Sequence, residues 1–228
     1  MLRLSQAGGG LVGVTSATPV PAAFILDHTR PARPSLVPEI ELRVAADVVS
    51  LWEAMEDERG GPAEDPPFWA AAWPGGQVLA RLVLDRPAVV AGRAVLDLGS
   101  GSGLVAVAAA MAGAATVTAS EIDPFGAAAI PLNAQLNRVS GISVVGDVLS
   151  APPPEDAVVL AGDVCYDRVM TERVLPFLDA ARAAGCEVLV GDPGRPYLPH
   201  DRLEAVAAYD VPDTEGRGDR RTTVWRLP

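Results

Sequence analysis

Hydrophobic positions are scattered before residue 74 and periodic after it. Val78, Leu79, Leu82 and Val83 recur at helical spacing, which predicts a helix opened by Pro74-Gly75-Gly76 and ended before Pro87. Residues 93–99 are a short apolar run that ends in glycine and predict a strand, followed by a helix over 104–112 and a strand over 116–122. Asp123-Pro124 is a cap followed by proline at the first helical position, so the next helix runs to about residue 137. Residues 142–148, 157–163 and 187–191 predict strands, and residues 168–184 and 201–208 predict helices. Residues 209–211 and 222–227 close the sheet as a hairpin. The alternation predicts an α/β fold with a doubly wound, Rossmann-like, mostly parallel sheet.

The preceding region reads differently. Residues 1–23 are rich in Gly, Ser, Thr and Pro and predict a disordered leader. Residues 24–73 predict an N-terminal arm and extension, with Pro31, Pro34 and Pro38 favouring an extended path from 24 to 38. Ile40, Leu42 and Val44 alternate as a strand would, and the acidic run 53–65 predicts a solvated loop. Residues 74–228 then form the α/β domain.

The chain has 228 residues, which fits one domain with an arm. Its formal charge of −11 argues against nucleic acid as a partner and permits a basic one. All 18 positive residues are Arg, so no lysine nucleophile or phosphate-binding lysine exists. Cys165 and Cys186 sit in apolar runs and predict reduced packing thiols. His28 and His200 stand outside any ligand cluster, so no metal is expected. No apolar run reaches the roughly 20 residues that a membrane span needs. The N-terminus makes a poor secretion signal, and a cytoplasmic protein is expected.

Acids mark the carboxyl ends of four predicted strands: Asp97, Glu121, Asp147 and Asp163. Parallel sheets bind ligands at those ends. Asp97-Leu-Gly-Ser-Gly-Ser-Gly103 follows a strand and opens a helix, where glycine lets the backbone approach a ligand. The same stretch fits a dinucleotide fingerprint, so both NAD and S-adenosylmethionine are candidates. Glu121, at the end of the next strand, can accept two ribose hydroxyls. Asp97 favours S-adenosylmethionine, because a carboxylate there meets an ammonium or sulfonium well and a diphosphate poorly.

Those residues, with the terminal hairpin, resemble a class I S-adenosylmethionine-dependent methyltransferase. The closer resemblance covers about residues 24–228. Pro66-Pro-Phe-Trp-Ala-Ala-Ala-Trp-Pro-Gly-Gly-Gln77, Glu121-Ile-Asp-Pro124, Gly162-Asp-Val-Cys-Tyr166 and the Gly191–Pro199 turn resemble the electron-transfer-flavoprotein β-subunit lysine methyltransferases, which are similar to ribosomal protein L11 methyltransferases. The resemblance implies roles at matching positions. Trp73 would line the methionine end of the cofactor, and Asp97, Gly99, Ser100, Gly101 and Gly103 would form the first loop. Glu121 would hold the ribose, Ile122 would lie on the adenine, and Asp147 and Val148 would border its edge. Asp163 and Tyr166 would face the incoming amine as the catalytic pair. Arg195 reads as a turn residue outside the site. The implied activity is methyl transfer to lysine side chains of a protein, with the electron transfer flavoprotein β subunit as the expected partner. Methylation of a small amine or pyridine is the alternative, and a NAD-linked oxidoreductase is a more distant one.

Overall fold

The computed structural model describes residues 20–61, 65–212 and 218–228. Most of the predicted leader lies outside these residues. The α/β region carries α3 (Pro74–Asp85), β3 (Ala94–Leu98), α4 (Leu104–Met111), β4 (Thr116–Ser120) and α5 (Pro124–Leu136). It continues through β5 (Ile142–Val145), β6 (Val158–Gly162), α6 (Arg168–Ala183), β7 (Glu187–Asp192), β8 (Glu204–Pro212) and β9 (Asp219–Leu227). These strands form one seven-stranded sheet in the order β5-β4-β3-β6-β7-β9-β8. The first five run parallel, and β9 inserts antiparallel between β7 and β8.

Side-chain alternation along the strands divides the core. Val95, Val117, Val158, Leu160 and Leu189 face one layer with α3, α4 and Ile130 of α5. Leu96, Leu98, Val159, Ala161, Val188 and Val190 face the other, against Val174, Phe177, Leu178 and Ala181 of α6. Strands buried on both faces read as continuous apolar runs, which is why the sequence signals them clearly. Cys165 and Cys186 are buried, unpaired thiols, and burial pushes Cys165 up to about 11. Among the described residues, no helix is long and apolar enough to cross a membrane, and no acid, His and Cys group could hold a metal ion.

The N-terminal region departs from the extended arm that its prolines suggest. Residues Val20–His28 form α1, followed by β1 (Thr29–Ala32) paired antiparallel with β2 (Leu42–Ala45). Proline is tolerated in a first helical turn, and Pro31 comes only after α1 has ended. The first half of the acidic run is helix and not loop, because Val48–Arg59 forms α2; the chain turns at 60–61, and 62–64 lie outside the described residues. Asp47 caps α2 through Ser50 N–H, Leu51 and Met55 bury its inner face, and Gly60 ends it at φ 70°. Phe24, Ile25, Leu51, Met55 and Trp69 pack with Phe125 and Ala129 of α5. Asn133 of α5 and its C-cap Asn137 accept the N–H groups of Arg43 and Glu41, at 2.8 Å each, and so clip the arm to the domain. The expected helix at 201–208 is instead a short 3-10 turn, His200–Arg202, leading into edge strand β8. Pairing with β9, as in Tyr209 with Thr222, overrides the helical preference of its alanines.

Candidate active site

One cavity of about 300 Å³ opens at the carboxyl ends of β3, β4 and β6. Trp73, Asp97, Gly99, Ser100, Gly101, Glu121, Ile122, Asp147, Asp163 and Tyr166 all line it. Two expected residues do not. Gly103 sits behind the wall at φ 80°, and an added Cβ would stand 3.2 Å from Ile130, so its part is to let α4 start against α5. Val148 packs toward the α6 core, and Leu149 lines the cavity in its place.

The β3–β4 end holds two carboxylates without a cationic partner among their bonds. Asp97 is buried; its Oδ2 accepts from Ser100 Oγ at 2.6 Å and from Ala106 N–H at 3.0 Å. Burial pushes its carboxyl up to about 7, against the pull of those two bonds. Glu121 accepts from Gly101 N–H at 2.7 Å through Oε2 and from Asp123 N–H at 2.8 Å through Oε1. Burial raises it too, with the two N–H groups opposing. Each Glu121 oxygen keeps a second lone pair for a ligand hydroxyl. Gly126 makes room for it, since a Cβ there would lie 2.8 Å from the Glu121 side chain.

The β6–β7 end is arranged differently. Asp163 sits at φ 59°, with Oδ1 2.6 Å from Arg195 Nη1 and Oδ2 accepting from Gly76 N–H at 2.9 Å. It therefore caps the first turn of α3, while Asp167 caps α6 through Met170 N–H. Arg195 lies in the site, not outside it: Nη1 also reaches Asp192 Oδ2 at 3.1 Å, and the side chain lines the cavity. Burial raises Asp163, with Arg195 and Gly76 N–H pulling the other way. Gly75 permits this junction, because a Cβ would fall 2.2 Å from Gly191 O and 2.6 Å from Asp163 Oδ2.

A strap over residues 65–73 covers the glycine loop. Trp69 is its anchor, 1% exposed and stacked on Phe125 at 6.2 Å. Phe68, which the motif reading left without a role, and Trp73 turn into the cavity beside Tyr166. Asp147 is more exposed; it accepts from Leu149 N–H at 2.9 Å and pairs with Arg173 at 2.7 Å.

S-adenosylmethionine suits this donor set. Buried Asp97 and half-buried Glu121, both with raised proton affinity, favour a ligand that carries positive charge and hydroxyls, and the cavity falls within the size range of small-molecule sites.

Comparison with known proteins adds independent information. The profile of the ribosomal protein L11 methyltransferase family matches residues 79–164. The electron transfer flavoprotein beta subunit lysine methyltransferase of Xenopus laevis is 37% identical over 222 residues, spanning 92% of this chain and 88% of the relative. The human protein of the same description is 37% identical, over 89% of this chain and 80% of its own length. Among solved structures, a Pyrococcus horikoshii protein described as a candidate RNA methyltransferase superimposes with a TM-score of 0.53 at 17% identity, covering 72% of this chain and 89% of that one. At that identity the likeness bears on the fold alone.

Proposed function

The chain belongs to the electron transfer flavoprotein beta subunit lysine methyltransferase family and is an S-adenosylmethionine-dependent protein-lysine N-methyltransferase; from that premise we propose that its substrate is the β subunit of electron transfer flavoprotein. The likeness along nearly the whole chain carries this reading, because it includes the strap and the turn after β7 as well as the cofactor loop. The net charge of −11 supports a protein acceptor over nucleic acid.

S-adenosylmethionine supplies the activated methyl group. Asp97 would hold its ammonium-bearing end and Glu121 its ribose hydroxyls, with Gly99, Ser100 and Gly101 keeping the backbone close. Ile122, exposed at the rim, and Leu149 would cover the adenine, with Asp147 at its edge. Trp73 would border the methionine end. An acceptor lysine must arrive neutral, and at pH 7.4 this costs about 4 kcal/mol from a reference pKa of about 10.4. Arg195 already balances the charge of Asp163, and Gly76 N–H bonds its other oxygen, so Asp163 would set the wall against which the amine is oriented and would not take its proton. Tyr166 stays a neutral phenol, because burial and then the charges of Asp167, Asp65 and Glu121 raise it. Its ring would flank the amine, whose proton leaves to water.

Transfer of tritiated methyl groups onto a fractionated lysate of the host tests the substrate. The expected result is one labelled band that co-migrates with the flavoprotein β subunit. Label confined to the small-molecule fraction would overturn it.

A further inference from the structure

Three rings stand half exposed on one wall of the cavity. Phe68, Trp73 and Tyr166 have 37%, 38% and 42% of their surface open. Phe68 is the middle member, with ring centroids 5.8 Å from Trp73 at 68° and 5.5 Å from Tyr166 at 44°. These angles make the rings sides of a collar, not a stack. The collar is also built to stay open. Trp73 Nε1 donates to Phe68 O at 2.6 Å, and the strap's neighbouring ring, Trp69, is buried against Phe125. Ordinarily such rings would be buried for the hydrophobic gain.

We propose that Phe68 is a specificity-determining residue on the acceptor side, forming with Trp73 and Tyr166 a collar that grips the cationic end of the incoming side chain through its π faces. The proposal rests on the protein-lysine reading above. Its chemistry follows from what the wall lacks as well as what it has. Asp163, at the β6 end of the cavity, already has its charge balanced by Arg195 and its other oxygen bonded to Gly76 N–H. An ammonium therefore finds ring faces where a free carboxylate would otherwise serve, and ring quadrupoles attract cations within about 6 Å. The surrounding charge has the sign that a cation needs: Asp65, Asp167 and Glu121 bear on Tyr166, with Arg173 opposing. Ring faces also do not count N–H groups, so a methylated amine is held as well as a free one.

The test uses the full chain saturated with S-adenosylhomocysteine and two probes of the same shape, choline and its neutral isostere 3,3-dimethylbutan-1-ol, followed by ligand-observed NMR. Choline is expected to bind about tenfold more tightly than the isostere. Phe68→Leu, which keeps volume but removes the π face, is expected to weaken choline about tenfold, and Phe68→Tyr to restore it. Calorimetry should show S-adenosylhomocysteine bound within about twofold of the parent in both variants, separating lost recognition from a collapsed strap. In methyl transfer, Phe68→Leu should raise KM more than it lowers kcat. Equal affinity for the two probes, no detectable binding of either, or choline affinity unchanged by Phe68→Leu would overturn the proposal. The probes involve no protein acceptor, so an error about the flavoprotein would leave their result standing.

Discussion

At the ends of β3 and β4, Asp97 and Glu121 are held by a hydroxyl and backbone N–H groups, and burial pushes both carboxyls up. At the ends of β6 and β7, Asp163 and Asp192 share one guanidinium, that of Arg195. The first pair has no cationic partner among the described residues, so a positively charged ligand can meet its charge. The second is met from within the protein, which leaves ring faces to greet an incoming cation. The two ends of one cleft therefore separate two tasks: acids for the methyl donor and aromatics for the acceptor. Substitutions should affect the two ends in opposite ways.

The largest effect should come at the junction beneath the acceptor end. Gly75→Ala forces a Cβ to 2.2 Å from the backbone of Gly191, and neither α3 nor β7 can yield cheaply. A loss of about 3 kcal/mol or more in unfolding stability is expected in a denaturant titration. Asp163→Ala comes next. It leaves Arg195 and Gly76 N–H short of a partner and should cost about 3 kcal/mol of stability. Turnover should fall about 100-fold while S-adenosylhomocysteine affinity changes only a few-fold. Equal losses of binding and turnover would merge the two ends into one site.

The donor end should show the reverse. Glu121→Ala and Asp97→Asn are each expected to weaken S-adenosylhomocysteine by about 1–3 kcal/mol in calorimetry, the scale of hydrogen bonds to a charged group. Asp97→Asn should nevertheless melt no lower than the parent at about pH 8, because it removes a carboxylate that burial disfavours. The smallest effect is on pH dependence. The folded carboxyl of Asp97, at about 7, lies above its reference value of 3.8. Its contribution to the stability of the free protein is therefore full below the reference value and lost as pH rises through about 7. A cationic ligand prefers the ionised form, so affinity should rise about tenfold between about pH 6 and about pH 8. Asp97→Asn should flatten that profile.

The sequence revealed the donor end more fully than the acceptor end. The inner parallel strands β3, β6 and β7 were legible because they are buried on both faces, and Asp97, the glycine loop and Glu121 follow at fixed local spacing. The acceptor end is assembled from distant pieces: a strap at 65–73, the first turn of α3, the end of β6 and the turn after β7. No local pattern marks Arg195 as a partner of Asp163, 32 residues away. Phe68 looks like a packing residue beside Trp69, and only the structure shows which of the two is buried. In the arm, the signals for α2 were present in Asp47, in Leu51 with Met55, and in Gly60. The density of acids masked them, although a charged outer face is what a surface helix carries.

The most direct measurement of the central claim is the intact mass of the host's electron transfer flavoprotein β subunit, incubated with this chain and S-adenosylmethionine and then fragmented. Methyl groups added to lysine, and fewer of them with Asp97→Asn at subsaturating S-adenosylmethionine, are predicted. A β subunit of unchanged mass, beside enzyme that calorimetry shows to bind S-adenosylhomocysteine, would contradict the account.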